Sequence, residues 1–233
     1  MEPMVDGLTG AQTPQGSSDI QKGTLSVMAH ITFLLENYSP VDPIVSEAAM
    51  LGKYVPHINI GYIPPLDSMI IEMACCLQER IFLISKTFLD QSLRFLFLLN
   101  NFNFICHSLH NNTTGFSFLQ VHVAPLVEKV EHYLESYLQV SWAPVLSCLF
   151  NPTLLCFGKN YSLLPKFQSE FQKMYTTQKL WKVPDPEMRK RLRKAITEKI
   201  ISGYTKYIED NNVITLRSTT HNLEEMLQEL FEG

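Results

Sequence analysis

Apolar residues recur three and four positions apart along most of the chain, which is the spacing of one face of an α-helix. The longest such stretch, residues 66–110, predicts two helices that meet near Ser85–Gln91. A further helix over about 116–149 is expected to kink at Pro144, because proline lacks a backbone N–H group. The same spacing predicts helices at 24–37, about 163–180, 186–209 and 221–231. Since no strand-like alternation competes with these patterns, we predict an all-α fold of antiparallel helices with short connections.

Two segments interrupt the helical pattern. Residues 1–23 are rich in Gly, Pro, Ser, Thr and Gln, so we predict a flexible tail there. Residues 38–65 contain seven prolines and glycines, which predict an irregular loop because they break any continuous helix. The remainder, 24–233, is interpreted as one helical domain that carries this loop.

The composition is that of a globular protein, with 45% hydrophobic and 18% charged residues in a chain of 233. The N-terminus lacks the basic and apolar regions of a secretory signal. The longest apolar run, residues 81–99, contains three charged residues, so we expect no membrane-spanning helix. An odd number of cysteines in apolar surroundings indicates a reducing compartment, with the thiols packed as small hydrophobic groups. These cysteines are Cys75, Cys76, Cys106, Cys148 and Cys156.

Charge is unevenly distributed along the chain. The formal net charge is −4, but residues 179–206 contain nine basic and three acidic residues and therefore carry +6. Part of this window has the pattern of an amphipathic helix, with Asp185 as its N-cap and Pro186 at its first position. On that helix Met188, Leu192, Ile196 and Ile200 share an apolar side, which leaves basic residues on the outer side.

Three interpretations of this basic window remain open. The window is either the solvated face of an ordinary helix, a surface that binds an anionic membrane, or a surface that binds nucleic acid. The rest of the chain carries −10, which opposes nucleic-acid binding, whereas a membrane surface needs only a localised patch. The candidate lipid-binding residues are Lys179, Lys182, Lys190, Arg193 and Lys194.

Other chemistry finds little support in the sequence. Cys106, His107 and His110 lie close together, but no second Cys/His cluster supplies a fourth zinc ligand, so we predict no metal site. Phosphate-binding loops, nucleophile elbows and paired catalytic carboxylates are not found, so we predict neither an enzyme nor a cofactor. Trp142 and Trp181 are interpreted as structural anchors of the core.

Four blocks of sequence carry a resemblance to a known family. Between Phe167 and Ile200 the chain has the pattern F-x3-F, Y-x2-Q-x2-W, V-P-D and R-x2-L-R, followed by I-x-E. The other blocks are "SLRFLFLLNNFNFI" (92–105), "YLQVSWAPVLSCL" (137–149) and "NLEEMLQELFEG" (222–233). In this order they resemble the C-terminal part of the seventy-kilodalton exocyst subunit family, and most closely its plant branch. The resemblance covers about residues 25–233.

The chain also departs from the family pattern. It lacks the family's N-terminal coiled coil and first bundle and is interpreted as truncated. It has Pro144 within a predicted helix and Ser202–Gly203 where Pro-Ala is usual. The basic segment before the last helix is reduced to "VITLRSTTHNL", in which only Arg217 is positively charged when His221 is neutral. Because upstream helices would cover the apolar face of residues 25–35, we expect the isolated chain to self-associate or to need a partner.

The resemblance implies a structure and a function. The structure would be stacked antiparallel helical bundles that form part of an elongated rod. The function would be non-enzymatic: tethering secretory vesicles to the plasma membrane, through other exocyst subunits and anionic phosphoinositide lipids. The protein would then be cytoplasmic and peripheral at the plasma membrane. The alternative is a truncated paralogue that binds a regulatory or immune partner without assembling into the exocyst.

Overall fold

A computed structural model describes residues 17–56, 63–111, 116–150, 163–211 and 217–233. Within these ranges the only secondary structure besides helices is an isolated antiparallel bridge between Lys182 and Glu232. The predicted all-α fold is therefore confirmed. The helices are α1 (Lys22–Glu36), α2 (Tyr38–Met50), α3 (Pro65–Ser85), α4 (Gln91–Asn111), α5 (Ser117–Ser141), α6 (Ala143–Phe150), α7 (Leu163–Gln178), α8 (Pro186–Asp210) and α9 (Arg217–Gln228). None of the helices in these ranges is long and apolar enough to cross a bilayer.

The predicted loop over residues 38–65 is wrong for its first half, because residues 38–50 form α2. Pro40 is the third residue of this helix, where the backbone N–H group has no intrahelical acceptor in any case. Pro43 lies farther inside and is exposed, and α2 is held by packing against α3, with Val45 buried. Tertiary packing thus overrides the proline signal. Residues 57–62 lie outside the described ranges.

The predicted tail over residues 1–23 is wrong at its C-terminal end. Ser18 and Gln21 are buried, and α1 begins at Lys22. The amide N–H of Gln21 and the hydroxyl of Thr24 both donate to Oδ1 of Asn101, at 3.0 and 2.8 Å. A buried asparagine on α4 therefore fixes the start of α1, and residues 1–16 lie outside the described ranges.

The predicted kink at Pro144 is a break between two helices. Helix α5 ends at Ser141, Trp142 forms the turn, and α6 begins at Ala143. Pro144 is then the second residue of α6, where its missing N–H group costs no hydrogen bond. The predicted loop around Pro152 and Gly158 lies outside the described ranges.

The cysteines differ from the sequence prediction in part. Cys106 and Cys148 are buried as predicted, but Cys75 and Cys76 on α3 are exposed, so their prediction as core residues is wrong. The buried stripe of α3 contains Ile70, Ala74, Leu77 and Ile81, which turns positions 75 and 76 away from the core. The protein around Cys75 still partly desolvates its thiol, which raises the pKa of that thiol. Cys156 lies outside the described ranges.

The chain divides into two compact units. The described part of the first consists of residues 20–89 and 97–132, and that of the second of residues 17–19, 90–96 and 133–233. In the first unit α1 and α2 pack on α3. In the second, α6 packs on α7 and α8, and α8 on α9. The buried side chains of the second unit include Tyr137, Trp142, Phe167, Phe171, Leu192, Ile196, Tyr204 and Phe231.

A hydrogen-bonded chain crosses the aromatic core of the second unit. Nε1 of Trp142 donates to the Tyr137 hydroxyl at 3.3 Å, and this hydroxyl donates to Oε1 of Gln178 at 2.5 Å. Because Tyr137 is fully buried, the loss of water raises the pKa of its phenol, which keeps it a neutral donor. Helices α5 and α7 are thereby joined beside the segment that leads into α8.

Candidate functional site

The candidate site lies in the second unit, where the chain passes from α7 into α8. Oδ1 of Asp185 accepts a hydrogen bond from the backbone N–H group of Met188 at 2.7 Å and caps α8. The predicted apolar side of α8 is buried, including Met188, Leu192, Ile196 and Ile200. Since that side faces the core, the outer side of α8 is fixed in orientation.

Trp181 and Trp142, the predicted structural anchors, are both buried in this unit, at 8% and 0% exposure. The indole of Trp142 lies 6.0 Å from the ring of Phe171 on α7. Trp181 lies between the end of α7 and the Asp185 cap, next to the fully buried Val183. The α7–α8 connection is thus anchored in the core between the basic residues that flank it.

Lys179 forms an ion pair that the sequence did not reveal. Its Nζ lies 2.6 Å from Oε2 of Glu229 and 3.1 Å from the Tyr175 hydroxyl, which itself donates to Oε2 of Glu229. The hydrogen bond from Lys179, followed by that from Tyr175, lowers the pKa of Glu229. The hydrogen bond to Glu229, followed by that to Tyr175, raises the pKa of Lys179. Both groups are therefore charged at neutral pH.

Arg193 binds the C-terminal segment instead of facing open solvent. Its Nε and Nη2 donate to the backbone oxygen of Leu230 at 2.9 and 2.5 Å, and its Nη2 lies 2.5 Å from Oε1 of Glu232. Arg189 lies 3.2 Å from the other oxygen of Glu232. The hydrogen bond from Arg193, followed by the charge of Arg189, lowers the pKa of Glu232. Arg193 is also only 16% exposed, so its contacts are mainly structural.

The segment that Arg193 holds is part of the core. Leu230 and Phe231 are fully buried, and the ring of Phe231 packs edge-on against Tyr137 with centroids 6.2 Å apart. Phe231 has a φ of 67°, a left-handed conformation that costs a non-glycine residue about 1–2 kcal/mol. This cost is offset by the burial of Phe231 and by contacts of its two neighbours. Leu230 accepts hydrogen bonds from Arg193, and Glu232 forms the bridge to Lys182 and the ion pair with Arg189.

Lys182 lies beside an extended segment near the N-terminus. The Ser18 hydroxyl donates to the backbone oxygen of Lys182 at 2.7 Å and accepts its N–H group at 3.0 Å. This places Oδ1 of Asp19 at 3.9 Å from the Lys182 ammonium. Residues 17–19 therefore bring a carboxylate to the basic window from a distant part of the sequence.

Lys190 and Lys194 remain on the outer face of α8, one turn apart and exposed. Lys194 lies 3.9 Å from Glu198, one turn farther along α8, with both side chains well exposed. Lys190 has no ion pair among the described residues. Of the five predicted lipid-binding residues, these two thus lie together on an exposed helix face. Three acids from outside the window, at positions 19, 229 and 232, lower its excess charge from +6 to +3.

The described residues contain no group of three or more potential metal ligands. Cys106 is buried, whereas His107 and His110 are exposed on the same helix, so these three side chains point to different environments.

Comparison with known proteins identifies the family. The family model for the C-terminal part of the Exo70 exocyst complex subunit matches residues 9–229. The Arabidopsis thaliana exocyst complex component EXO70A3 is 28% identical over an alignment of 171 residues, and the alignment covers 64% of this chain and 28% of that protein. EXO70A1 from the same plant is 26% identical over an alignment of 196 residues, which covers 72% of this chain and 30% of that protein. The chain thus spans less than a third of the length of these relatives. It belongs to the Exo70 C-terminal family of exocyst proteins.

Proposed function

We propose that this chain is a non-enzymatic component of the exocyst that helps to tether secretory vesicles at the plasma membrane. The observation that carries the proposal is the family match over residues 9–229, which includes both units. The two Arabidopsis relatives are named as exocyst complex components. The protein would act in the cytoplasm and at the membrane periphery, in contact with other exocyst subunits.

The membrane contact would be made by the outer face of α8. Lys190 and Lys194 are exposed one turn apart, and Arg191 between them is exposed as well. A basic residue near an anionic leaflet contributes about 1 kcal/mol, so a few such residues give weak, reversible attachment. Lys179 and Lys182 flank the start of α8 and would add to this surface when their ammonium groups are not held by acids. Phosphoinositides are the proposed ligands because they concentrate negative charge at the headgroup.

The exocyst role is tested by quantitative co-purification from cells that express the chain naturally. The tagged chain should enrich other exocyst subunits above an equally expressed, identically tagged helical protein of another family. Absence of every other exocyst subunit from the purified material would contradict the proposal. Enrichment of a regulatory or immune protein in their place would favour the alternative, a binding module that does not assemble into the exocyst.

A further inference from the structure

We propose that the carboxylates of Asp19 and Glu229 compete with anionic lipid headgroups for two lysines. Each carboxylate forms an ion pair with a lysine ammonium until a headgroup displaces it. The lysines are Lys182 and Lys179, at the junction of α7 and α8. This inference rests on the proposed lipid function and adds regulation to the same surface. The phosphoinositide phosphoryl groups would take the positions now held by the two carboxylates.

Both acids come from parts of the chain remote in sequence from the lysines that they contact. Asp19 is positioned by its neighbour Ser18, whose hydroxyl makes two hydrogen bonds to the backbone of Lys182. Glu229 follows α9 and receives hydrogen bonds from Tyr175 and Lys179. Specific hydrogen bonds therefore set the position of both acids, through the neighbouring Ser18 for Asp19 and on the carboxylate itself for Glu229.

The exposure of these pairs makes displacement easy. The side chains of Lys179 and Glu229 are 48% and 55% exposed, and those of Lys182 and Asp19 are 54% and 48% exposed. Ion pairs between exposed side chains are weak and are screened by salt. A membrane phosphate can approach from solvent and replace the carboxylate while the backbone stays in place.

Glu232 differs from the two competitors although it also contacts basic residues. It is held by Arg189 and Arg193, and Arg193 additionally binds the backbone oxygen of Leu230. Freeing Arg193 would require removal of the buried Leu230–Phe231 segment from the core. Glu232 therefore stabilises the fold, whereas Asp19 and Glu229 are exchangeable.

The test measures binding to vesicles that contain phosphatidylinositol 4,5-bisphosphate in phosphatidylcholine, with pure phosphatidylcholine vesicles as the background. The isosteric double variant Asp19→Asn/Glu229→Gln should bind about five- to tenfold more tightly than wild type, since it removes the negative charge beside each of the two lysines. Its control is Glu209→Gln/Asp210→Asn, which removes the same charge from the exposed end of α8. If the change in net charge alone raised the affinity for vesicles, the increase would be equal in both variants. That result would overturn the proposal.

Tyr175→Phe gives a second test without a change of net charge. It removes the hydroxyl that donates to Glu229 and accepts from Lys179, so the carboxylate is held less firmly. We expect vesicle binding to increase about twofold with an unchanged melting temperature. Wild-type binding with no gain in Tyr175→Phe and Asp19→Asn/Glu229→Gln would overturn the competition alone. No binding by wild type or any variant would overturn it together with the lipid function.

Discussion

Single residues in the second unit either hold the helices together from inside or carry charge at the surface. Tyr137 and Trp142 are fully buried and linked by a hydrogen bond, whereas Lys190 and Lys194 are exposed. Arg193 belongs to the first group although its residue type suggested the second. The difference is decided by the backbone oxygen of Leu230, a partner that is 37 positions away in sequence.

Trp181→Ala should lower the free energy of unfolding by about 3–5 kcal/mol, the usual cost of truncating a buried aromatic side chain. Trp181 is 8% exposed, whereas its neighbour Leu180 is 76% exposed. Leu180→Ala is therefore the matched control and should change stability by less than about 0.5 kcal/mol. Urea unfolding of the two variants provides the measurement, and equal effects would show that the packing of Trp181 is misinterpreted.

Tyr137→Phe should lower the free energy of unfolding by about 1–3 kcal/mol, because the indole N–H group of Trp142 loses its buried acceptor. Gln178 loses its donor in the same variant. Tyr175→Phe removes a hydroxyl from an exposed interaction and should leave the unfolding midpoint nearly unchanged. A stability of Tyr137→Phe within error of wild type would contradict the role of this hydrogen-bonded chain.

At the scale of elements, sequence periodicity predicted α3, α4, α7 and α8 closely. Their apolar stripes are long, and α8 also begins with the signals Asp185 and Pro186. The sequence does not predict α2, because Pro40 and Pro43 indicate a loop and its packing partner, α3, lies elsewhere in the sequence. The sequence predicts a kink instead of the break at Trp142 for a related reason. Proline marks an interruption but does not indicate which residue ends the first helix.

Asp185→Ala should remove the N-cap of α8 and cost about 1 kcal/mol of stability. The effect should be local at first, with faster amide hydrogen exchange at Met188, whose N–H group is bound by the Asp185 side chain. Asp185→Asn retains an oxygen acceptor and should cost less. Unchanged exchange at Met188 in Asp185→Ala would contradict the capping interaction.

At the scale of the whole molecule, the sequence alone locates the basic window but does not indicate which of its basic residues are paired with acids. Lys179, Lys182 and Arg193 are matched by acids more than 35 positions away in sequence, and such contacts leave no periodic signal. The family could be identified because its motifs are local blocks in a fixed order. Pairing between those blocks depends on tertiary structure, so the two competitor carboxylates emerged only with the fold.

The predicted reason for self-association is wrong, because the apolar face of residues 25–35 is largely covered by α3, with Met28, Ile31 and Leu35 buried. The isolated chain should still self-associate, because other large apolar side chains on α1 and α2 face solvent. Phe33 is 58%, Ile44 67% and Met50 88% exposed, and exposed apolar surface promotes association. Phe33→Ser/Ile44→Ser should therefore shift sedimentation toward the monomer. Leu89→Ser, at a residue 92% exposed outside these helices, is the control and should have less effect. A wild-type chain that stays monomeric and binds no hydrophobic dye would contradict this prediction.

The most direct test of the membrane-facing surface is the affinity of Lys190→Glu/Lys194→Glu for phosphatidylinositol 4,5-bisphosphate vesicles at low and physiological salt. We predict a loss of at least about tenfold relative to wild type, since two favourable charges become unfavourable. The control, Lys22→Glu/Lys53→Glu, makes the same change of net charge at exposed lysines of the first unit and should retain most of the binding. Binding by the folded Lys190→Glu/Lys194→Glu chain that equals wild type at both salt concentrations would show that α8 presents only a solvated face.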